Sequence, residues 1–250
     1  MNSYQKNPFL RWSFLRLLIG MPKFLKTWQV GDRREEKLVQ HVLKNSSKGD
    51  ALGVLQAIDE FAWTQSYLIN VGDEKGKILD DAIKAKEPKN ILELGTYCGY
   101  SALRMAIVAP EAQIVSIEIS DANAKIARTI HEQAGMDGRI EVLVGAIGDD
   151  GQTISSIKDQ YVSERGAFDF VFIDHDKKYY LPDLQALLNN DLLDQSVVVV
   201  ADNVKFPGAP EYLAYMDDSE GKAWSTEKHE THVEYQNVIK DLVLVSQRIS

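Results

Sequence analysis

Apolar residues recur along this chain in two periods, and the change from one to the other falls near Asn90. Before it the spacing is helical. Leu38, Val39, Val42 and Leu43 stand three and four apart and stop at the Ser47-Lys48-Gly49 break. Asp50 to Phe61 repeats the period through Leu52, Leu55, Ile58 and Phe61, and a third helix is predicted from Lys75 to Ala85, ending near Pro88. Beyond Asn90 short apolar runs alternate with helical stretches. Strands are predicted at Asn90 to Leu94, Gln113 to Ile119, Ile140 to Val144, Phe168 to Ile173 and Val197 to Ala201, with two more near Thr231 to Tyr235 and Leu242 to Gln247. Helices are predicted at Ser101 to Ala109, from a cap at Ser120 or Asp121 to Gly135, and near Ile154 to Tyr161, Leu181 to Leu188 and Pro210 to Met216.

The runs at Phe168 and Val197 are apolar without alternation, as in strands buried on both faces. Strands alternating with helices predict an α/β fold, a mostly parallel sheet with helices on both faces and extra helices at the N-terminus. Such sheets bind ligands at the carboxyl ends of their strands. Chemistry is therefore expected just after Leu94, Ile117, Val144, Ile173 and Ala201.

Composition narrows the picture. A chain of 250 residues, 44% hydrophobic, can bury one sizeable core, so residues 31–250 are expected to form a single domain behind an extension over residues 1–30. Net charge is −9, yet Met1 to Val30 hold five Lys/Arg and no acid, so the remaining 220 residues carry −14. A body that acidic suits a small-molecule enzyme and argues against a nucleic-acid partner. Cys98 is the single cysteine, which precludes an intrachain disulfide; a reducing, cytoplasmic setting and a monomer are expected. The apolar stretch from Phe9 to Trp28 contains Arg11, Arg16, Lys23, Lys26 and Pro22, too many charges for a bilayer span. It reads as an extension packed on the domain or frayed, or else as a segment for weak membrane-surface contact or organelle targeting.

Three segments carry chemistry. ELGTYCGYS, Glu93 to Ser101, follows the first strand; Gly95 and Gly99 permit a sharp turn, and the next helix offers its N-terminus to an anion such as a carboxylate, with Ser101 as a hydroxyl donor. Tyr97 and Tyr100 stand where a dinucleotide fingerprint needs glycine, which counts against a nicotinamide cofactor. Glu118 ends the second strand, placed to accept from two ribose hydroxyls. Asp174 ends the fourth strand, and Asp202 and Asn203 end the fifth. If those strands are neighbours, two carboxylates and an amide oxygen converge, a donor set suited to Mg²⁺. His175 beside them reads as a structural hydrogen-bonder, Cys98 as a small buried thiol, and His229 and His232 as facing opposite sides of a strand.

INVGDEKGKILD, ILELGTYCGYSALRMA, IEIS, FIDHDK, ADNV followed by PGAP, and HVEY occur in the order found in the catechol O-methyltransferase family, which the chain resembles from about Gly31 to Gln247. The resemblance implies a Rossmann-like methyltransferase fold with a seven-stranded sheet. It also implies S-adenosylmethionine as methyl donor, Mg²⁺ as metal and a catechol as substrate. It places Val71, with the Asn70 backbone, along the cofactor pocket, Gly95, Tyr97 and Ser101 about the methionine end and Glu118 at the ribose, and counts Glu93 and Ile119 among the cofactor contacts. Asp174 is counted with the cofactor contacts and, with Asp202 and Asn203, as a metal ligand. Lys177 matches the general base, Glu234 the acceptor for the second hydroxyl, and Pro207 a wall of the ring pocket.

The chain departs from the family where Asp176 replaces a tryptophan against the adenine, where Ile147 and Gly148 replace a polar pair, and where Tyr67 and Ile69 replace a tryptophan and a methionine near the substrate. Those changes bear on substrate identity. A metal-dependent methyltransferase of caffeoyl-type esters and a non-catalytic S-adenosylmethionine-binding relative are the alternatives.

Overall fold

A computed structural model describes residues 12–250, the side chain of Leu25 excepted. Of the extension expected over residues 1–30, the first eleven residues lie outside this description. Helix α1 (Trp12–Thr27) follows, with Phe14 and Leu17 buried in the main apolar cluster. Helices α2 (Arg34–Asn45), α3 (Ala51–Thr64) and α4 (Gly72–Lys86) precede the sheet. The Asp50 carboxylate caps α3 by accepting from Gly53 N at 2.9 Å, which fixes its start at Ala51, two residues after the predicted break.

The alternating half comprises β1 (Asn90–Leu94), α5 (Tyr100–Val108), β2 (Gln113–Glu118), α6 (Asp121–Gln133) and β3 (Ile140–Val144). It continues with α7 (Gln152–Ile157), which runs through a π turn into the short α8 (Ser163–Arg165), then β4 (Phe168–Ile173) and α9 (Tyr180–Asn189). The chain closes with β5 (Leu193–Ala201), α10 (Pro210–Ser219), β6 (Trp224–His232) and β7 (Lys240–Arg248). The seven strands lie in the order β3-β2-β1-β4-β5-β7-β6, parallel except that β7 is antiparallel to both of its neighbours.

Successive residues of the central strands feed two cores. Ile91, Ile114, Phe170, Phe172, Val198 and Val200 pack beneath α2 to α6, whereas Leu92, Leu94, Val115, Val171, Ile173 and Val199 pack against α7, α9 and α10. Burial on both faces is why these strands read as unbroken apolar runs. The order reverses between β1 and β4, which makes a crevice at the carboxyl ends of those two strands, where open α/β sheets bind ligands.

The last hairpin differs from expectation. The strand predicted over Thr231 to Tyr235 is instead β6, Trp224–His232, and Val233, Glu234 and Tyr235 follow it. As the edge strand, β6 buries little besides Trp224 and Thr231 and carries Glu227, Lys228 and Glu230 outward, so it lacks the apolar signal of a central strand. Glu234 thereby sits on the turn between the strands.

Candidate functional site

Two loops meet at the switch point. Gly95, the first residue after β1, has φ 102°, and a Cβ there would lie 2.7 Å from the Asp174 carbonyl oxygen of the loop after β4. Only glycine allows that approach. The chain then turns through Tyr97, and Gly99 with φ 82° enters α5 without a side-chain cap. First-turn N–H groups of α5 are thus left for an external acceptor.

Glu118 is oriented across the crevice by two backbone donors. Its Oε2 accepts from Tyr97 N and its Oε1 from Ser120 N, both at 2.8 Å. Burial raises its pKa, and these bonds counter the rise. Val71 is buried at the start of α4, and Ile119 is exposed beside Glu118. Ser101, predicted to face a ligand carboxylate, donates its hydroxyl to Glu93, as does Ser116. Glu93 is wholly buried, and burial lifts its carboxyl to about 7. It works from beneath the loop, tying β1 to α5 and β2.

The loop is further anchored by His131 of α6, whose Nε2 lies 2.9 Å from the Gly99 carbonyl oxygen. Burial lowers this imidazole from 6.5 to about 4, so it is neutral in the fold, with Nε2–H as the donor. A depressed histidine stabilises fully above its unfolded value, and the contribution drains away as pH falls through that value towards the folded one. His131→Gln keeps a donor and removes the titration. Between pH 6.5 and 4 wild type should lose on the order of 3 kcal/mol more stability than this variant, measured by urea unfolding across that range.

Beside the crevice the predicted acidic set comes together. β4 and β5 are paired neighbours with Ile173 opposite Ala201, and Asp202 N donates to the Ile173 carbonyl at 3.0 Å. Asp174 and Asp202 therefore leave adjacent strand ends in register, and each lies within the other's field or that of the same lysines and Glu234. Burial drives both carboxyls up. Lys177 and Lys75 hold Asp174 down, while Asp202 is pushed up further by Asp174 and Glu234 against the pull of Lys75. Asp202 Oδ1 accepts from Asn203 N at 2.7 Å, whereas Oδ2 is buried and has no hydrogen-bond partner.

Asn203 uses its amide nitrogen twice, on Glu234 Oε1 at 3.0 Å and Asp241 Oδ2 at 2.7 Å. Those bonds fix the amide orientation and turn its oxygen the other way. Lys177 Nζ lies 2.9 Å from Asp174 Oδ1 and 2.6 Å from the Tyr180 hydroxyl, which itself donates to the Asp202 carbonyl at 2.9 Å. His175 is turned away from this set: its Nε2 lies 2.9 Å from Asp183 Oδ2 and its ring stacks on Tyr180. Tyr67 donates its hydroxyl to the Glu234 carbonyl oxygen at 2.5 Å, and Pro207 lies in the π turn Val204–Gly208 that follows Asn203. Asp176 caps the short turn Lys177–Tyr179 and pairs with Lys178 at 3.0 Å. His229 and His232 face separate carboxylates, Glu227 and Glu74.

Two residues of the cluster escaped the sequence reading. Lys75 is fully buried with Nζ 2.7 Å from Asp202 Oδ1 and 3.3 Å from Asp241 Oδ2, and it also donates to Glu234. Its position four and eight residues before Leu79 and Ile83, on the buried stripe of α4, was the available signal. Asp241 alternates with buried Val243 in β7, so it too belonged to an inward face.

The described residues thus place an uncapped helix end, the Glu118 carboxylate and an acidic cluster around one switch point, and known proteins match this chain throughout that region. A family model described as O-methyltransferase matches residues 46–244. A probable O-methyltransferase of Mycobacterium tuberculosis is 49% identical over 91% of this chain and 97% of its own length. Mouse catechol O-methyltransferase is 36% identical over 85% of this chain and 78% of its own. The fold is shared with the O-methyltransferase of Bacillus cereus solved in complex with SAH, at TM-score 0.63 and 22% identity over 85% of this chain and 91% of that one. The chain belongs to the S-adenosylmethionine-dependent O-methyltransferase family.

Proposed function

We propose that this enzyme methylates one hydroxyl of a catechol and that Mg²⁺ is held by Asp174, Asp202 and Asn203. The observation that carries the reading is the unpartnered, buried Oδ2 of Asp202 within a cluster of uneven charge. Asp174, Asp202, Glu234 and Asp241 face two ammonium groups, Lys75 and Lys177, so two negative charges remain when all are ionised. One divalent cation offsets that excess. Oxygen donors alone favour a hard ion. When bound, such a cation lowers the pKa of a coordinated phenolic hydroxyl.

The chain's own groups account for the remainder. Lys177 Nζ, at the edge of the cluster, accepts the proton of the reacting hydroxyl as a neutral amine, its ammonium having first released a proton to solvent. Glu234 Oε1 is taken by Lys75 and Asn203, so Oε2 is the oxygen left to accept from the second hydroxyl. A substrate with one hydroxyl forfeits that bond, which is why vicinal diols are favoured. Glu118 orients the ribose of the donor, and the first turn of α5 receives its carboxylate. The sulfonium methyl passes to the phenolate oxygen, and a site closed to water favours this union of opposite charges.

The test is methyl transfer from labelled S-adenosylmethionine to a panel of catechols, caffeoyl-type esters and monophenols, with added magnesium and with excess chelator. Catechols should turn over at least about tenfold faster than monophenols, the worth of one lost hydrogen bond to a charged group. Chelator should stop the reaction, and magnesium should restore it. Equal turnover of monophenols, or full activity in chelator, overturns the reading.

A further inference from the structure

Helix α1 is apolar on two sides. Its inner side buries Phe14 and Leu17, with Met21 and Phe24 packed against the same cluster. Its outer side leaves Trp12 66%, Leu18 47% and Ile19 73% exposed, with Leu15 half-buried between them. A surface helix ordinarily turns polar residues outward. Here the only charged residues are Arg16, Lys23 and Lys26, and none is acidic. Arg16 is engaged by Asp32 at 3.6 Å, whereas Lys23 and Lys26 are exposed on the outer side.

We propose that the outer side of α1 docks on anionic lipid bilayers, with Trp12, Leu15, Leu18 and Ile19 inserted among the acyl chains and Lys23 and Lys26 against the headgroup phosphates. Charge selects this occupant. The helix lies in the one stretch, Met1 to Val30, that holds five cations and no anion, while the rest of the chain carries −14. An anionic surface therefore attracts α1 and repels the remainder, which sets the orientation. A second copy packed symmetrically on this side would set Lys23 and Lys26 against their own equivalents with no carboxylate in the helix to pair. Four side chains also fall short of the roughly 20 residues a side that a stable interface uses. No helix among the described residues is long and apolar enough to cross a membrane, so contact is with the surface. Neither the substrate nor the metal bears on this contact.

The experiment is co-sedimentation of the full chain with vesicles of phosphatidylcholine alone and of phosphatidylcholine mixed with phosphatidylglycerol, at low and high salt. Binding should be at least about tenfold tighter to the anionic vesicles and weaken with salt. Ile19→Glu should lose about tenfold or more, and the pair Lys23→Glu and Lys26→Glu should fall to the level of phosphatidylcholine alone. Each variant should keep the wild-type melting temperature and its turnover of a water-soluble catechol, because no partner of these side chains belongs to the site. Brominated lipid should quench tryptophan fluorescence in wild type more than in Trp12→Phe. Equal binding to both vesicle types, Ile19→Glu binding as wild type, or a dimer in sedimentation velocity that Ile19→Glu dissolves would each overturn the proposal.

Discussion

Lys177→Met should lower kcat by roughly 10²–10⁴-fold, the range for loss of a positioned general base. Affinity for S-adenosylmethionine should persist, because Lys177 follows β4 whereas the donor's carboxylate and ribose are assigned to the Gly95–Ser101 loop and Glu118 on the other side of the switch point. The geometry makes Lys177 hard to replace. Its Nζ is held between Asp174 Oδ1 and the Tyr180 hydroxyl, and Tyr180 is in turn pinned to the backbone of Asp202. Arginine would retain charge against Asp174 but cannot give up a proton near neutrality, so Lys177→Arg should be nearly as slow as methionine. Tyr180→Phe removes one partner and leaves the nitrogen, and should cost far less. Steady-state methyl transfer together with titration calorimetry separates these outcomes. A Lys177→Met enzyme within tenfold of wild type would mean that the proton leaves by another route.

How much of this could be read from the chain alone depends on which residues announce themselves. β1 and β4 begin and end where their mostly apolar runs do, since central strands buried on both faces keep their apolar signal to the last residue, and the edge strand β3 keeps its bounds through Ile140 and Val142 on its buried side. Asp174 and Asp202 were legible for a related reason: an acid directly after such a run must lie at a strand's carboxyl end. That the strands are neighbours was conditional on topology, and the register of Ile173 with Ala201 supplies it. Residues whose role comes from across the fold were not legible. Glu93 stands inside β1 and looks like part of the cofactor loop, yet its oxygens are engaged by Ser101 and Ser116. β6 was misplaced because an edge strand tolerates WSTEKHETH, a segment with hardly any apolar signal. Lys75 was passed over because lysine on a helix is ordinarily solvated, and only the stripe it shares with Leu79 and Ile83 betrays its burial.

That lysine supports the second large effect. Burial alone would push the Lys75 ammonium down, but Asp202, Glu234 and Asp241 more than reverse this, so it is charged in the fold. Lys75→Met removes the cation those three buried carboxylates share. Breaking a buried pair by deleting one partner costs about 3–5 kcal/mol, and in a chain of this size that lowers the melting temperature by about 6–20 °C. Adding Asp241→Asn should return part of the loss, and a double-mutant cycle measures how much. Asp241 is the suitable second site because it is not itself a proposed ligand, and its carboxylate accepts from Lys75, Asn203 and Phe206 N. The same substitution probes the proposed cation. Without Lys75 the cluster's excess rises from two negative charges to three, so magnesium should raise the melting temperature of Lys75→Met more than that of wild type. If magnesium shifts the variant no further than wild type, the ion does not sit in the field of Asp202 and Glu234, and the assignment of Asp174, Asp202 and Asn203 as its ligands fails with it.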